Sequence, residues 1–160
     1  MLATGAVAGD AVTASLLVPE WVVFACENHW FGLPVTGVRE ILSPRPFTRL
    51  PGCAPVVCGL IGLRGRAVTV FDFGVAFSLR PAAAYPDHRL LLVEYGERVV
   101  GFAVEEVIAV ARTRTRGLSV PGEVLRALDV EREDLLGIGE WEERTFLAVD
   151  PGKILSRLLV

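Results

Sequence analysis

Cysteine, histidine and basic charge are scarce in this chain, and each shortage removes a class of function. Three cysteines in 160 residues, Cys26, Cys53 and Cys58, cannot complete a disulfide framework. Cys53 and Cys58 stand in C-x4-C spacing, but a zinc site needs about four ligands. Only His29 and His88 are there to join them, and neither repeats a metal-finger spacing. No metal and no other cofactor is expected, and the thiols read as buried, inert groups of a reducing compartment. Lys and Arg number 16 against 19 Asp and Glu, a net charge of -3. Nucleic acid, which usually demands a basic face, is not the expected partner. No stretch reaches the ~18–20 uninterrupted apolar residues of a membrane span, so direct insertion is not expected either. Residues 1–19 lack the basic start and long apolar core of a signal peptide and read as a mobile tail.

Catalytic motifs are also wanting. Neither histidine sits in a nucleophile context, and G-x-S-x-G and H-E-x-x-H are absent. Gly59, Gly62 and Gly65 evoke a phosphate loop, but the Walker lysine is missing and the first spacing is wrong for a dinucleotide fingerprint. Acidic residues cluster at Glu105-Glu106, at 131–134 and at 140–143, where a solvated face is the ordinary reading. Asp72, inside Val70-Phe71-Asp72-Phe73, is different, because a carboxylate among apolar residues must be hydrogen-bonded; backbone N–H groups of a turn are its expected donors. Arg112, Arg114 and Arg116 fall on one side of an extended segment, a charged edge that discourages strand-to-strand aggregation.

What the chain does have is short apolar runs cut by Gly and Pro, the pattern of an all-β barrel or sandwich. Hydrophobic residues make up 52% and charged residues 22%, with mean hydropathy +0.48. That is apolar for a soluble protein, so part of the excess is expected to serve partner contacts. The length suits one domain or two small lobes folded together. Strands are predicted over 21–26 and 30–34 around a Glu27-Asn28-His29 turn, with a short strand or helical turn at Val38–Ile41. Pro55–Cys58 suggests one helical turn. Strands over 57–63 and 67–73 then meet at Arg64-Gly65-Arg66, with Gly65 taking positive φ. The segment 80–86 is the clearest linker, followed by a hairpin of 89–95 and 98–104. Residues 123–136 read as partly helical, with Val124, Leu125 and Leu128 on one face. A final strand over 145–149 leads to Asp150 and Pro151, helix-start residues, and to an apolar stripe of Ile154, Leu155, Leu158 and Leu159.

Taken in order, Phe24–Leu33, Val38-Arg-Glu-Ile41, Leu50-Pro51, Gly59-Leu-Ile-Gly-Leu-Arg-Gly65, Val68-Thr-Val-Phe-Asp72, Val100-Gly-Phe-Ala-Val104 and Val107–Val110 resemble the CheW-like domain. Leu136-Gly-Ile-Gly139 and 146–154 are similar to its closing strand and terminal helix, so the resemblance spans roughly 20–158. The family's pattern implies an all-β fold of two small five-stranded SH3-like barrel lobes packed together, with a short C-terminal helix, over 20–160. It implies a non-enzymatic adaptor that links the cytoplasmic hairpin tip of methyl-accepting chemoreceptors to the regulatory domain of the histidine kinase CheA. It also implies a cytoplasmic protein recruited to membrane-bound receptor arrays. A coupler of a parallel chemosensory pathway is the nearest alternative. A small β-barrel enzyme using Asp72 or the Glu105/Glu106 pair is a distant one.

The resemblance places a receptor-facing groove at Val38, Glu40, Ile41, Leu60, Gly62, Leu63 and Arg64. There the guanidinium of Arg64 offers a planar fork of donors, oriented by Glu40 through a bidentate pair. The apolar residues would cradle an amphipathic receptor helix. Kinase contact is expected near Val99, Val100, Gly101 and Phe102. Gly62 stands where the family usually has Asn, Thr69 for Pro, Phe73-Gly74 for Leu-Arg, and Glu105 for Asp. These departures bear on partner identity more than on fold.

Overall fold

Tight turns set the framework of the computed structural model, which describes residues 18–117, 122–127 and 130–159. Glu27 and Asn28, with φ of 48° and 67°, join β1 (Glu20–Cys26) to β2 (His29–Pro34). Two consecutive positive φ angles make the type I′ turn whose twist matches the flanking strands. Arg64 and Gly65, at 50° and 76°, do the same between β4 (Val57–Leu63) and β5 (Arg66–Asp72). β3 (Val38–Leu42) precedes them, so the undecided segment 38–41 is strand. β6 (Arg89–Tyr95) and β7 (Arg98–Val104) pair around Gly96 at φ 63°. β8 (Glu106–Arg112) follows. Glu142 and Glu143, at 48° and 65°, join β9 (Leu135–Trp141) to β10 (Arg144–Val149).

Two five-stranded sheets result among the described residues, ordered β8-β1-β2-β10-β9 and β3-β6-β7-β5-β4. The second uses a continuous stretch of chain; the first is split between the two ends of the described chain. Segment 80–86, the expected linker, lies inside the continuous lobe, because β5 pairs in parallel with β7 across it. Each lobe closes through one isolated bridge, Thr48 to Leu60 and Arg116 to Ile138. The expected all-β architecture of two five-stranded lobes and a C-terminal helix is observed.

The lobes repeat each other in detail. Asp72 ends β5 and caps α1 (Phe73–Ala76), while Asp150 follows β10 and caps α3 (Pro151–Leu158). Val70 pairs with Gly101, as Ala148 pairs with Gly32. Gly59 and Gly137 hold φ of 139° and 152° where a Cβ would strike the carbonyl oxygens of Thr48 and Arg116. Glycine is required at both closures. The bulge after Val38 in β3 recurs opposite Val23/Phe24 in β8, which makes Ile41 and Val110 equivalent positions.

A seam of aromatic rings fuses the lobes. Phe24 and Phe31 of the split lobe meet Phe73 at 4.7 and 5.0 Å, and Phe31 stacks on Phe77 at 5.5 Å. All four rings are fully buried, each worth about 1.5–3 kcal/mol by transfer from water. A second, smaller cluster of Trp21, Val23, Ala111, Phe146 and Ala148 fills the split barrel.

Several local expectations need correction. Pro55 to Cys58 forms no helical turn: Val57 N–H bonds the Ala54 carbonyl and β4 begins at once. The predicted strand over 67–73 stops at Asp72, whose carboxylate caps α1 and turns the chain. Segment 123–136 is partly helical as expected, with α2 (Gly122–Ala127) and a 3-10 turn at Arg132–Asp134 before the start of β9. Leu125 is buried; Leu128 of its expected face lies outside the described residues, as does the expected tail up to residue 17. Cys53 is exposed rather than buried, because it rides the loop before β4.

Candidate functional site

The β4–β5 turn carries Arg64 to one end of the continuous lobe, against the opposite edge strand. There Arg64 Nη2 donates to Glu40 Oε1 of β3. The expected bidentate pair is not formed: a single oxygen is engaged, and buried Glu40 Oε2 has no hydrogen-bond partner among the described residues. Arg64 holds the Glu40 carboxyl below the usual carboxylate range, first by this hydrogen bond, with Arg45 and Arg39 adding charge from nearby. Glu40 in turn raises the Arg64 pKa further. The Arg64 side chain is 71% exposed, so it keeps donors for another molecule.

Behind this pair runs a groove of about 740 Å³. Half-exposed Leu63 and Val99 line it, over a floor of buried Val68, Leu92 and Val100. Arg39, Glu40, Arg64, Arg66, Glu97 and Arg98 supply its charged rim. Of the seven residues expected to face the receptor, Glu40, Leu63 and Arg64 meet here. Ile41 is 42% exposed on the neighbouring strand, Val38 and Leu60 are half-buried, and Gly62 is exposed, all four outside the lining. A Cβ on Gly62 would meet nothing within 4 Å, so the family's usual asparagine would fit without strain. Arg39, Arg66 and Arg98 escaped the sequence reading. Their signal was weak: charges flanking turn residues, whose convergence depends on barrel closure.

The stretch expected to meet the kinase lies mostly inside the sheet. Val100, Gly101 and Phe102 are buried in the interior of β7, between β6 and β5, with Val100 at 1% and Phe102 at 0% exposure. Only Val99 is half-exposed, and it opens into the Arg64 groove. The two expected contact regions therefore share one lobe.

The residues of the enzyme alternative are occupied otherwise. Asp72 borders a depression of about 340 Å³ beside Arg49 and Cys58. Its Oδ1 accepts Val75 N–H at 3.1 Å and Ala82 N–H at 2.9 Å, and its Oδ2 accepts Ala83 N–H at 2.9 Å. The predicted backbone donors are there, and they tie α1 to segment 80–84. Glu105 Oε1 accepts the Glu27 N–H at 2.8 Å, while Glu106 is exposed at the start of β8. Burial pushes the Cys26 and Cys58 thiols up to about 12. Among the described residues no group of three or more His, Cys, Asp or Glu is placed to hold a metal, and no helix is long and apolar enough to cross a membrane.

A family model described as the CheW-like domain matches residues 20–159. The chain belongs to the CheW-like domain family. Among its relatives is a chemotaxis protein CheW of Klebsiella aerogenes, 30% identical over 143 residues, with 86% of this chain and 81% of the relative covered. A chemotaxis protein CheW of Bacillus subtilis is 28% identical, covering 85% and 86%. The crystal structure of the scaffolding protein TtCheW from Thermoanaerobacter tengcongensis superposes with a TM-score of 0.74 at 20% identity, over 86% of this chain and 92% of that one. Within this CheW-like domain, Arg64 belongs to the Gly59–Gly65 motif that carries the resemblance, and Arg66 stands outside it.

Proposed function

We propose that this chain is a non-enzymatic adaptor of bacterial chemosensory signalling. It holds the cytoplasmic hairpin tip of a methyl-accepting chemoreceptor in the Arg64 groove and links it to the regulatory domain of the histidine kinase CheA. The CheW-like fold and the chemotaxis proteins among its relatives support this reading. The observation that carries it is the pairing of a Glu40-steered, solvent-facing Arg64 with half-exposed Leu63 and Val99 in one groove. Such an adaptor transmits receptor state by contact, works at membrane-bound receptor arrays from the cytoplasmic side, and needs no cofactor.

Pull-down of a receptor hairpin fragment and of the kinase regulatory domain, with wild type and Arg64→Ala, tests the proposal. Receptor capture is expected to fall at least about tenfold, the loss of a charge-assisted contact, with kinase capture and the melting curve nearly unchanged. Equal receptor capture by both proteins would remove Arg64 from the interface. A large drop in melting temperature would reduce the Glu40–Arg64 pair to an internal clamp.

A further inference from the structure

Charge is distributed unevenly over this molecule. The whole chain carries -3, yet the Arg64 groove is rimmed by four arginines, Arg39, Arg64, Arg66 and Arg98, against the two glutamates Glu40 and Glu97. Glu40 is already engaged by Arg64. Arg39 has a distant and exposed partner in Glu94 at 3.7 Å. Arg66 and Arg98 form no ion pair among the described residues, and both are exposed. They stand beside two different hairpin turns, β4–β5 and β6–β7, which the sheet brings to one barrel end. A positive island of this kind on an acidic protein steers a negative partner into one orientation.

We infer that the groove selects an acidic helical segment, and that Arg66 and Arg98 are its specificity residues. The inference rests on the receptor-adaptor reading and adds the charge class of the partner and two residues to it. The wall settles the kind of anion. Half-exposed Leu63 and Val99 present aliphatic surface there, which suits an amphipathic helix. The lining contains no aromatic ring for base stacking, which single-stranded nucleic acid uses. Carboxylates along one helix face would meet the guanidinium forks of Arg66 and Arg98 while apolar residues meet the wall. Buried Glu40 Oε2, still without a partner among the described residues, adds a demand for one donor from the bound segment, since an unmet buried acceptor is costly.

The test uses the full chain and two probes: a receptor hairpin fragment, and the same fragment with the Asp and Glu of its tip changed to Asn and Gln. Affinity is read by fluorescence anisotropy at low and high salt, about 0.05 M and 0.5 M, which bracket weak and strong screening. The double variant Arg66→Glu/Arg98→Glu is expected to bind the acidic probe at least about thirtyfold more weakly at low salt, with the difference collapsing at high salt. The neutral probe is expected to bind wild type and variant alike. Arg66→Gln/Arg98→Gln, which removes charge without reversing it, should give an intermediate loss, and circular dichroism checks that both variants fold. If both variants bind the acidic probe like wild type while Arg64→Ala still loses it, the charge selection is wrong and the receptor groove stands. If Arg64→Ala loses nothing either, the receptor reading itself fails. Arg-dependent binding of poly(U) or of phosphatidylserine vesicles, with the hairpin probe unaffected, would assign the island to another class of partner and overturn the inference.

Discussion

Arg64 holds φ at 50°, a left-handed conformation that a non-glycine residue adopts at a cost. Asn or Gly is the ordinary choice at this position of a type I′ turn. On the proposed reading, the Arg64 side chain is worth more at the groove than the backbone loses. Arg64→Gly is therefore expected to raise the melting temperature by roughly 2–4 °C, while receptor capture falls at least as far as in Arg64→Ala. A variant that is both less stable and binding-competent would reverse the assignment. The cysteines give a second check at this scale. Cys53 is exposed, whereas burial pushes Cys26 and Cys58 up to about 12, leaving almost no thiolate near neutral pH. A thiol-specific reagent at about pH 8 should modify one cysteine in the folded protein and all three in guanidinium. Arg64 and Glu40 were legible because a short motif carries them. Exposure of Cys53 was not, because nothing local distinguishes a loop thiol from a core thiol.

At the level of single elements, two carboxylates hold the chain's short helices in place. Asp72 is 2% exposed and satisfies three backbone N–H groups. Asp72→Ala orphans them together and is expected to cost about 3–5 kcal/mol, read as a lower urea midpoint. Asp134 works differently. Its side chain is buried and pairs with Arg157 of α3, while its carbonyl accepts the Asp150 N–H. Burial raises its pKa and Arg157 opposes that rise. A carboxyl with a raised folded-state pKa binds its proton more tightly when folded, so its ionised form weakens the fold above that range. Arg157→Ala removes the opposing charge and raises the pKa further. The resulting loss of stability should be full at neutral pH and shrink as pH falls through the carboxylate range; urea melts at about pH 7.5 and about pH 4 measure it. A deficit that is equal at both pH values would deny the pairing any electrostatic role. Asp72 was readable as a turn acceptor because burial leaves a carboxylate few choices. The partner of Asp134 was not readable, because α3 reaches it across the fold from 23 residues away.

On the scale of the whole molecule, two barrels of one plan share an aromatic seam, and each presents its own barrel face. The strand pattern made the all-β class and the hairpins legible. It could not show which hairpins share a lobe, since the parallel joins of β5 with β7 and of β2 with β10 leave no local pattern. For that reason the lobe to which segment 80–86 belongs, and the burial of Val100 to Phe102, were not legible. The repeat supplies what the pattern lacked. Ile41 of the continuous lobe and Val110 of the split lobe occupy equivalent positions and are 42% and 53% exposed. As single exposed apolar side chains at matched sites, they serve as probes of whether the two lobes bind separate partners. If the receptor takes the continuous lobe, as proposed above, the kinase regulatory domain is expected on the split lobe. Val110→Glu should then reduce kinase capture at least about tenfold, as a charge placed inside an apolar contact does, and leave receptor capture alone. Ile41→Glu should show the opposite pattern. Both residues are exposed on strands, so neither change is expected to alter stability by more than about 0.5 kcal/mol. The two pull-downs, run side by side with melting curves, decide the matter: if Val110→Glu captures both partners like wild type, the split lobe loses its assigned partner, and if each substitution abolishes both contacts, the lobes do not divide the work.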